Sequence, residues 1–443
     1  MIKKVFAILF SIFILFLSAK ETNAVYDPRQ VKNNIFGAHI INHSDLEDLS
    51  NATNVNGGDW GYVTIVITEA QRDKNVWQKF MDDCRRLRLI PIVRVATKYT
   101  DDSWETPRED EINNWINFFN SLNWVIENRY VVIGNEPNHA KEWGGKIDPA
   151  AYSIYLKKFS QSLKNSNSDY FVLPAGFDQD APNSKKTMDQ KKYMELMIKE
   201  MPDVFEFVDG WNSHSYPNPA FSGPTTGKGR RSIRGYEWEL EQLKVLGIKK
   251  DLPIFITETG WVRSKKYNEQ DVAQNLKKAY EEVWMKDDNV VAVTPFILNY
   301  TEEPFYEFSW KNKNGSYFPI YQTIQSVQKI KGEPIQKING EIIFSFLNPL
   351  MLKGLDHKGF AVVKNKGQAI WTQSESNVIN ETQNSEIKVS NTKFSPIEPF
   401  STGLVVYTLT TPDKSGSFDI KLGFYVKGER VGDITNSKII ILP

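Results

Sequence analysis

Apolar positions along this chain fall into two alternating patterns. Eight short runs, at 35–40, 62–67, 90–96, 130–135, 171–176, 207–213, 253–257 and 290–298, are nearly continuous in aliphatic and aromatic residues, as strands buried on both faces are. Longer stretches with helical spacing lie between them, and their starts carry capping signals. Thr106-Pro107-Arg108-Glu109 combines an N-cap, a proline at the first helical position and a glutamate three residues on. Asp148-Pro149 repeats the first two elements, and Asn268-Glu269-Gln270-Asp271 is a third start. The strand count reaches eight, and no glycine-rich nucleotide loop follows the first strand, so the pattern predicts an α/β fold of the (β/α)8 TIM-barrel type rather than an open sheet.

The pattern changes after residue 334. Short β-like runs at 342–346, 359–363, 404–409, 417–426 and 438–442 are separated by turns rich in Asn, Ser, Gly and Lys. This predicts a small C-terminal all-β sandwich over 335–443 behind a barrel over 25–334, with Gly332-Glu333-Pro334 as the boundary.

The first 24 residues read as a signal peptide: Lys3 and Lys4, an apolar run from Val5 to Leu17, and a small-residue cleavage site after Ala24. The chain is therefore expected to be secreted or held in the cell envelope. The alternative is an uncleaved membrane anchor, although the run is shorter than the ~20 residues a span needs. No later segment is long and apolar enough to form a stable membrane span. Basic and acidic side chains number 54 each, and this balance argues against a nucleic-acid partner. Cys84 is the single cysteine, so no intrachain disulfide forms, and its helical surroundings make it a core residue. Five scattered histidines, no zinc spacing, no phosphate loop and no Gly-x-Ser-x-Gly elbow leave no expected metal or cofactor.

The informative chemistry is a pair of glutamates. Val131-Val132-Ile133-Gly134-Asn135-Glu136-Pro137 and Pro253-Ile254-Phe255-Ile256-Thr257-Glu258-Thr259-Gly260-Trp261 each end an apolar strand in a carboxylate, which places both acids at the mouth of the barrel. Glycoside hydrolysis needs two carboxyls, one to protonate the leaving oxygen and one to attack the sugar or activate water. Asn-Glu-Pro after a fourth strand and Thr-Glu-Thr-Gly-Trp after a seventh resemble the signature of the retaining glycoside hydrolases of the clan A (β/α)8 superfamily, over roughly residues 33–330. The resemblance implies Glu136 as acid/base, Glu258 as nucleophile and Asn135 as a partner of the sugar 2-hydroxyl. It also implies a β-linked oligo- or polysaccharide substrate.

Further site candidates surround the pair. Trp211-Asn212-Ser213-His214-Ser215-Tyr216-Pro217 ends the sixth strand, where the resemblance implies a His or Tyr within reach of the nucleophile, so His214 and Tyr216 are expected there. Arg94, a cation within an apolar strand, requires an acidic partner, either a catalytic carboxylate or a structural one. His39 ends the first strand and is a weaker candidate. Trp143, Trp261 and Tyr300 lie on the loops of the expected catalytic side and are candidate sugar platforms. Related enzymes often carry a tryptophan at the end of strand eight; here Phe296-Ile297-Leu298-Asn299-Tyr300 has none, and Trp310 is the nearest. The basic loop from Gly227 to Arg234 is read as a solvated charge cluster in preference to an acidic-sugar selector. The sandwich is read as an accessory domain packed on the barrel in preference to a carbohydrate-binding or cleft-flanking module. The expected activity is thus an exported retaining glycosidase with a carbohydrate partner; the alternative is a catalytically silent carbohydrate-binding protein on a similar barrel.

Overall fold

The computed structural model describes residues 25–443, so the expected signal segment, with Lys3, Lys4, the run from Val5 to Leu17 and the cleavage site after Ala24, lies outside the described residues. Eight parallel strands follow one another as β1 (Gly37–Ile40), β2 (Gly61–Thr68), β3 (Leu89–Ala96), β4 (Arg129–Ile133), β5 (Tyr170–Pro174), β6 (Trp211–Ser213), β7 (Ile254–Ile256) and β8 (Val290–Val293). A helix follows each in turn: α1 (Leu46–Thr53), α2 (Lys74–Leu87), α3 (Ile112–Asn120), α4 (Pro149–Ser166), α5 (Gln190–Glu200), α6 (Gly235–Val245), α7 (Glu269–Glu282) and α8 (Pro319–Ser326). The ladders run β1-β2-β3-β4-β5 and β6-β7-β8. Two seams close the ring: Phe36 bridges Val293 with the Val293 N–H donating to Ile35 O at 2.7 Å, and the Asp209 N–H donates to Val172 O at 2.8 Å between β5 and β6. This is the (β/α)8 barrel that the alternation of patterns implies.

The barrel interior is filled in layers. Tyr62, Tyr130, Phe171 and Phe255, from β2, β4, β5 and β7, pack with the Tyr130 and Phe255 ring centres 5.0 Å apart and those of Phe171 and Phe255 5.5 Å apart. Two residues further along β2, Thr64 shares a 2.7 Å hydroxyl contact with Thr294. Beyond this polar layer the strands end, and there the interior side chains become His39, Arg94, His214 and Glu258. The change from aromatic floor to charged mouth follows the chain direction, because every strand points the same way.

Several elements differ from their sequence expectations. The sixth strand keeps only Trp211–Ser213 of the expected 207–213; Val204–Phe207 forms a 3-10 turn instead. The eighth ends at Val293, since Pro295 has no N–H to continue a ladder, yet the segment still tracks its neighbours, with the Phe296 N–H on Thr259 O and the Leu298 N–H on His39 O. The helix expected at Thr106-Pro107 begins later, as a 3-10 turn over Glu109–Glu111 leading into α3. The other two starts hold: Asp148 accepts from the Ala151 N–H, and Asn268 forms a reciprocal capping box with Asp271. Cys84 is fully buried in α2.

The C-terminal strands are β9 (Gly340–Phe346), β10 (Leu350–Leu352), β11 (Asp356–Asn365), β12 (Ser376–Asn380), β13 (Lys388–Lys393), β14 (Thr402–Thr410), β15 (Gly416–Val426) and β16 (Glu429–Leu442). They form two four-stranded sheets, β9-β11-β14-β13 and β10-β16-β15-β12, around Val363, Trp371, Val405, Tyr407, Leu422 and Phe424. The sandwich touches the barrel at residues that precede β4 and β5, which is the end opposite the strand C-termini. There Gln336 and Gln368 donate to Val125 O and Ile126 O, the Glu127 N–H donates to Ile335 O, and Lys337 Nζ binds both Asp169 oxygens at 2.6 Å. The sandwich therefore does not flank the mouth. Among the described residues no helix is long and apolar enough to cross a membrane.

Asp169 is only 6% exposed and its other cation, Arg129, lies 3.6 Å away, so Lys337→Met leaves a buried carboxylate poorly compensated. The expected loss is about 1–3 kcal/mol of unfolding free energy in urea titration. An unchanged midpoint would show that the ion pair contributes nothing to the docking.

Candidate active site

The two glutamates reach the mouth by different local devices. After β4 the chain turns through Gly134 (φ +89°), a conformation that favours glycine, and Glu136 itself holds φ +29°, a rarely populated region for a residue with a Cβ. The turn is pinned by the Glu136 N–H, which donates to Gly176 O at 3.0 Å. After β7, the hydroxyls on either side of Glu258 tie the chain to the β6 segment: Thr257 Oγ1 donates to Asn212 Oδ1 at 2.6 Å and Thr259 Oγ1 to Ser215 O at 2.7 Å.

One oxygen of Glu136, one oxygen of Glu258 and a His214 ring nitrogen all lie within 4.8 Å of one another. His214 Nδ1 is 2.9 Å from Glu136 Oε1 and 3.7 Å from Glu258 Oε2. Arg94 Nη1 donates to Glu258 Oε1 at 2.7 Å and also to Asn135 Oδ1, while Tyr216 donates its phenol hydrogen to Glu258 Oε2 at 3.2 Å. Glu136, Glu258, Asn135, Arg94, His214 and Tyr216 are thus one constellation drawn from β3, β4, β6 and β7. His39 stands beside it on β1, fully buried, with neither ring nitrogen hydrogen-bonded.

The surrounding charges hold Glu258 ionised. Burial pushes the Glu258 carboxyl up, but the charges of His214 and Arg94 outweigh it and hold the group down at about 2. Burial pushes the His214 imidazole down, and the Glu258 charge together with the Glu136 hydrogen bond more than reverses this, so its midpoint lies above the ordinary 6.5. His39, with burial and the Arg94 charge against it, falls to about 3 and is neutral. Glu258 accordingly adds stability above its unfolded value of 4.5 that is lost as pH falls toward about 2. His214 adds stability below 6.5 that is lost as pH rises through its raised midpoint. The cluster is held most firmly between pH 4.5 and 6.5.

Glu136, His214 and Glu258 have the spacing of a ligand set for a cation. The positive groups already there disfavour one: the Glu258 and Glu136 charges beside His214 Nδ1 raise its midpoint, so a metal would have to displace a proton held by both. The negative charge of Glu258 is already matched by Arg94.

The expected sugar platforms fare differently. Trp143 is buried, edge-on to Tyr152 and Tyr155, and lines a cavity of about 30 Å³ rather than an open surface. Trp261 is buried with its indole N–H on Gly223 O, and Trp310 is buried as well. These tryptophans position loops. Tyr300 is half-buried and joins an aromatic wall beside Glu258 that sequence reading did not find: Phe221, Phe296, Phe305, Phe308 and Tyr216 meet at centroid distances of 4.9–5.9 Å. Phe221 is 36% and Phe305 38% exposed, so part of the wall faces solvent. In the basic loop, Arg230 pairs with Asp189, Arg231 with Asp180 and Arg234 with Glu237, which leaves these arginines tied down rather than free to select an acidic sugar.

Three further features were not found from the sequence. Glu142, beside Trp143, accepts from Asn135 Nδ2 at 3.1 Å, and burial followed by the Glu136 charge raises its pKa. His139 and Asp178 form a 2.7 Å ion pair next to Glu136. Gly176 faces His214 so closely that a Cβ there would lie 2.2 Å from the ring. Only Glu142 left a signal, as an acid within the same turn as a candidate platform.

Glu258→Gln removes the largest influence raising the His214 midpoint, so that midpoint should fall. Proton NMR of the His214 ring through a pH titration reads this directly. A midpoint unmoved by the substitution would mean that the pair is not electrostatically coupled.

No protein-family model and no curated protein sequence matches the chain. Among solved structures it is similar to a triply substituted endo-β-1,4-glucanase from Xanthomonas axonopodis pv. citri, at 12% identity and a TM-score of 0.43 over 68% of this chain and 97% of that one. A β-mannanase from Thermomonospora fusca is similar at 14% identity and a TM-score of 0.43, over 65% and 86% of the two chains. A family 51 α-L-arabinofuranosidase from Bifidobacterium longum is similar at 9% identity and a TM-score of 0.44, over 87% and 97%.

Proposed function

We propose that this chain is a retaining glycoside hydrolase of the clan A (β/α)8 superfamily, exported by its N-terminal segment, that cleaves a β-linked oligo- or polysaccharide. The observation that carries the reading is the pair of carboxylates on the ends of β4 and β7, with oxygens within 4.8 Å of one another. Retaining enzymes hold their two carboxyls ~5–5.5 Å apart, whereas inverting enzymes leave ~6.5–9.5 Å for a water.

Each role follows from an environment. Glu258, ionised and aligned by Arg94 and Tyr216, attacks the anomeric carbon; the glycosidic C–O bond breaks as the new ester bond forms. Glu136 gives its proton to the leaving oxygen, then takes one from the water that hydrolyses the ester, which frees Glu258 and returns the proton to Glu136. Negative charge moves off Glu258 during attack, and the hydrogen bond from His214 steadies Glu136 once it is deprotonated. Asn135 meets the sugar 2-hydroxyl, and the wall of Phe221, Phe296 and Phe305 offers ring faces on which a pyranose stacks. The sandwich, docked at the far end, is an accessory domain to the barrel. The alternative of a silent carbohydrate binder predicts glycan binding without turnover, unchanged by Glu136→Gln.

Proton NMR of the first-formed product should show the anomeric configuration of the substrate kept. Glu136→Gln should still be glycosylated by a substrate with a good leaving group, stall, and be released by azide as a glycosyl azide. An inverted product would remove Glu258 as nucleophile. Tyr216→Phe should lower turnover about ten- to a thousandfold, with a smaller effect on KM, since it removes one donor to the attacking carboxylate. Wild-type turnover in this variant would place Tyr216 outside the mechanism.

A further inference from the structure

Asn135 lies between a guanidinium, which can only donate, and a carboxyl oxygen that accepts, and this leaves its carboxamide one orientation. Arg94 Nη1 donates to Oδ1, and a guanidinium has no acceptor, so the amide oxygen must face it. On the other side Glu142 Oε2 accepts from Nδ2 at 3.1 Å. Rotating the amide by half a turn would set NH2 against the guanidinium and the carbonyl against a carboxylate. Glu142 is itself held in place. It ends the 3-10 turn Ala140–Glu142, its N–H donates to His139 O at 3.0 Å, and the next residue, Trp143, is buried against Tyr152 and Tyr155.

We propose that Glu142 is a positioning residue that locks the Asn135 carboxamide, so that the Nδ2 hydrogen not used by Glu142 is aimed at the 2-hydroxyl of the sugar facing Glu258. The inference rests on the glycosidase reading and deepens it. One Nδ2 hydrogen is used by Glu142, and the second is available to substrate. Without Glu142 the amide keeps Arg94 at its oxygen but loses the acceptor that fixes its plane. The contact to the 2-hydroxyl, which tightens as charge develops on the sugar, is then made at an entropic cost.

The test uses the full chain, an aryl glycoside that the wild type hydrolyses and the 2-deoxy form of the same glycoside. Glu142→Leu should lower kcat/KM about ten- to a hundredfold on the 2-hydroxy substrate, mainly through kcat, and change the 2-deoxy substrate by less than about threefold. Glu142→Gln, which keeps an acceptor oxygen, should recover most of the loss. In an Asn135→Ala background, Glu142→Leu should add little, because the two residues act through one contact. Should Glu142→Leu fail to fold, Glu142→Asp, which keeps the charge but falls short of Asn135, should give the same selective loss. Equal losses on both substrates, or full additivity with Asn135→Ala, overturn the role of Glu142 alone. A folded wild-type chain that turns over no glycoside overturns the glycosidase reading and this inference with it.

Discussion

Two carboxylates brought within 4.8 Å of each other, one of them nearly sealed from water, repel strongly enough to shape everything around them. When both are ionised, like charges at 4.8 Å cost about 3.5 kcal/mol at an effective dielectric of 20, before desolvation is counted. The protein offsets this with two cations of different kinds. Arg94 supplies a permanent charge to Glu258, and His214 hydrogen-bonds Glu136 while lying 3.7 Å from Glu258. Because Arg94 comes from β3, Glu136 from β4, His214 from β6 and Glu258 from β7, the balance exists only once the barrel has closed. The seams between β8 and β1 and between β5 and β6 are therefore conditions for the site as well as for the fold.

The same balance explains why the acids are not equivalent. Glu258 receives Arg94 and Tyr216 and is held ionised at about 2, whereas Glu136 is more open and shares only His214. Under the proposed roles, the first environment suits a nucleophile, which needs a fixed, charged oxygen, and the second, nearer solvent, suits an acid/base residue. Gly176 belongs to this balance too, since a Cβ there would collide with the His214 ring.

Much of this was legible in the chain because it rests on short-range pattern. Buried parallel strands are continuous apolar runs, so the eight strands were found, as was the change to sheet-only text beyond residue 334. Arg94 was recognisable because a cation in an apolar strand requires a partner, although which carboxylate it serves depends on barrel closure. Polar edge strands such as Lys388–Lys393 escaped, since they bury little and show no alternation. The platforms were misplaced for a related reason. Sequence places Trp143 and Trp261 on mouth loops but does not say which way a loop side chain faces, and both face inward. The partly exposed aromatic wall joins Phe221, from the segment after β6, to Phe296 and Phe305, from the segment after β8. Glu142 and the Asp178–His139 pair acquire meaning only from neighbours brought close by the fold.

In the proposed mechanism Glu258 becomes covalently bound to sugar. Incubation with an activated 2-deoxy-2-fluoro glycoside of an accepted sugar, followed by proteolysis and mass spectrometry, tests it most directly. One glycosyl adduct is expected, carried by the peptide containing Thr257-Glu258-Thr259 and absent in Glu258→Gln. An adduct on Glu136 or elsewhere, or substrate turnover with no adduct at all, would contradict it.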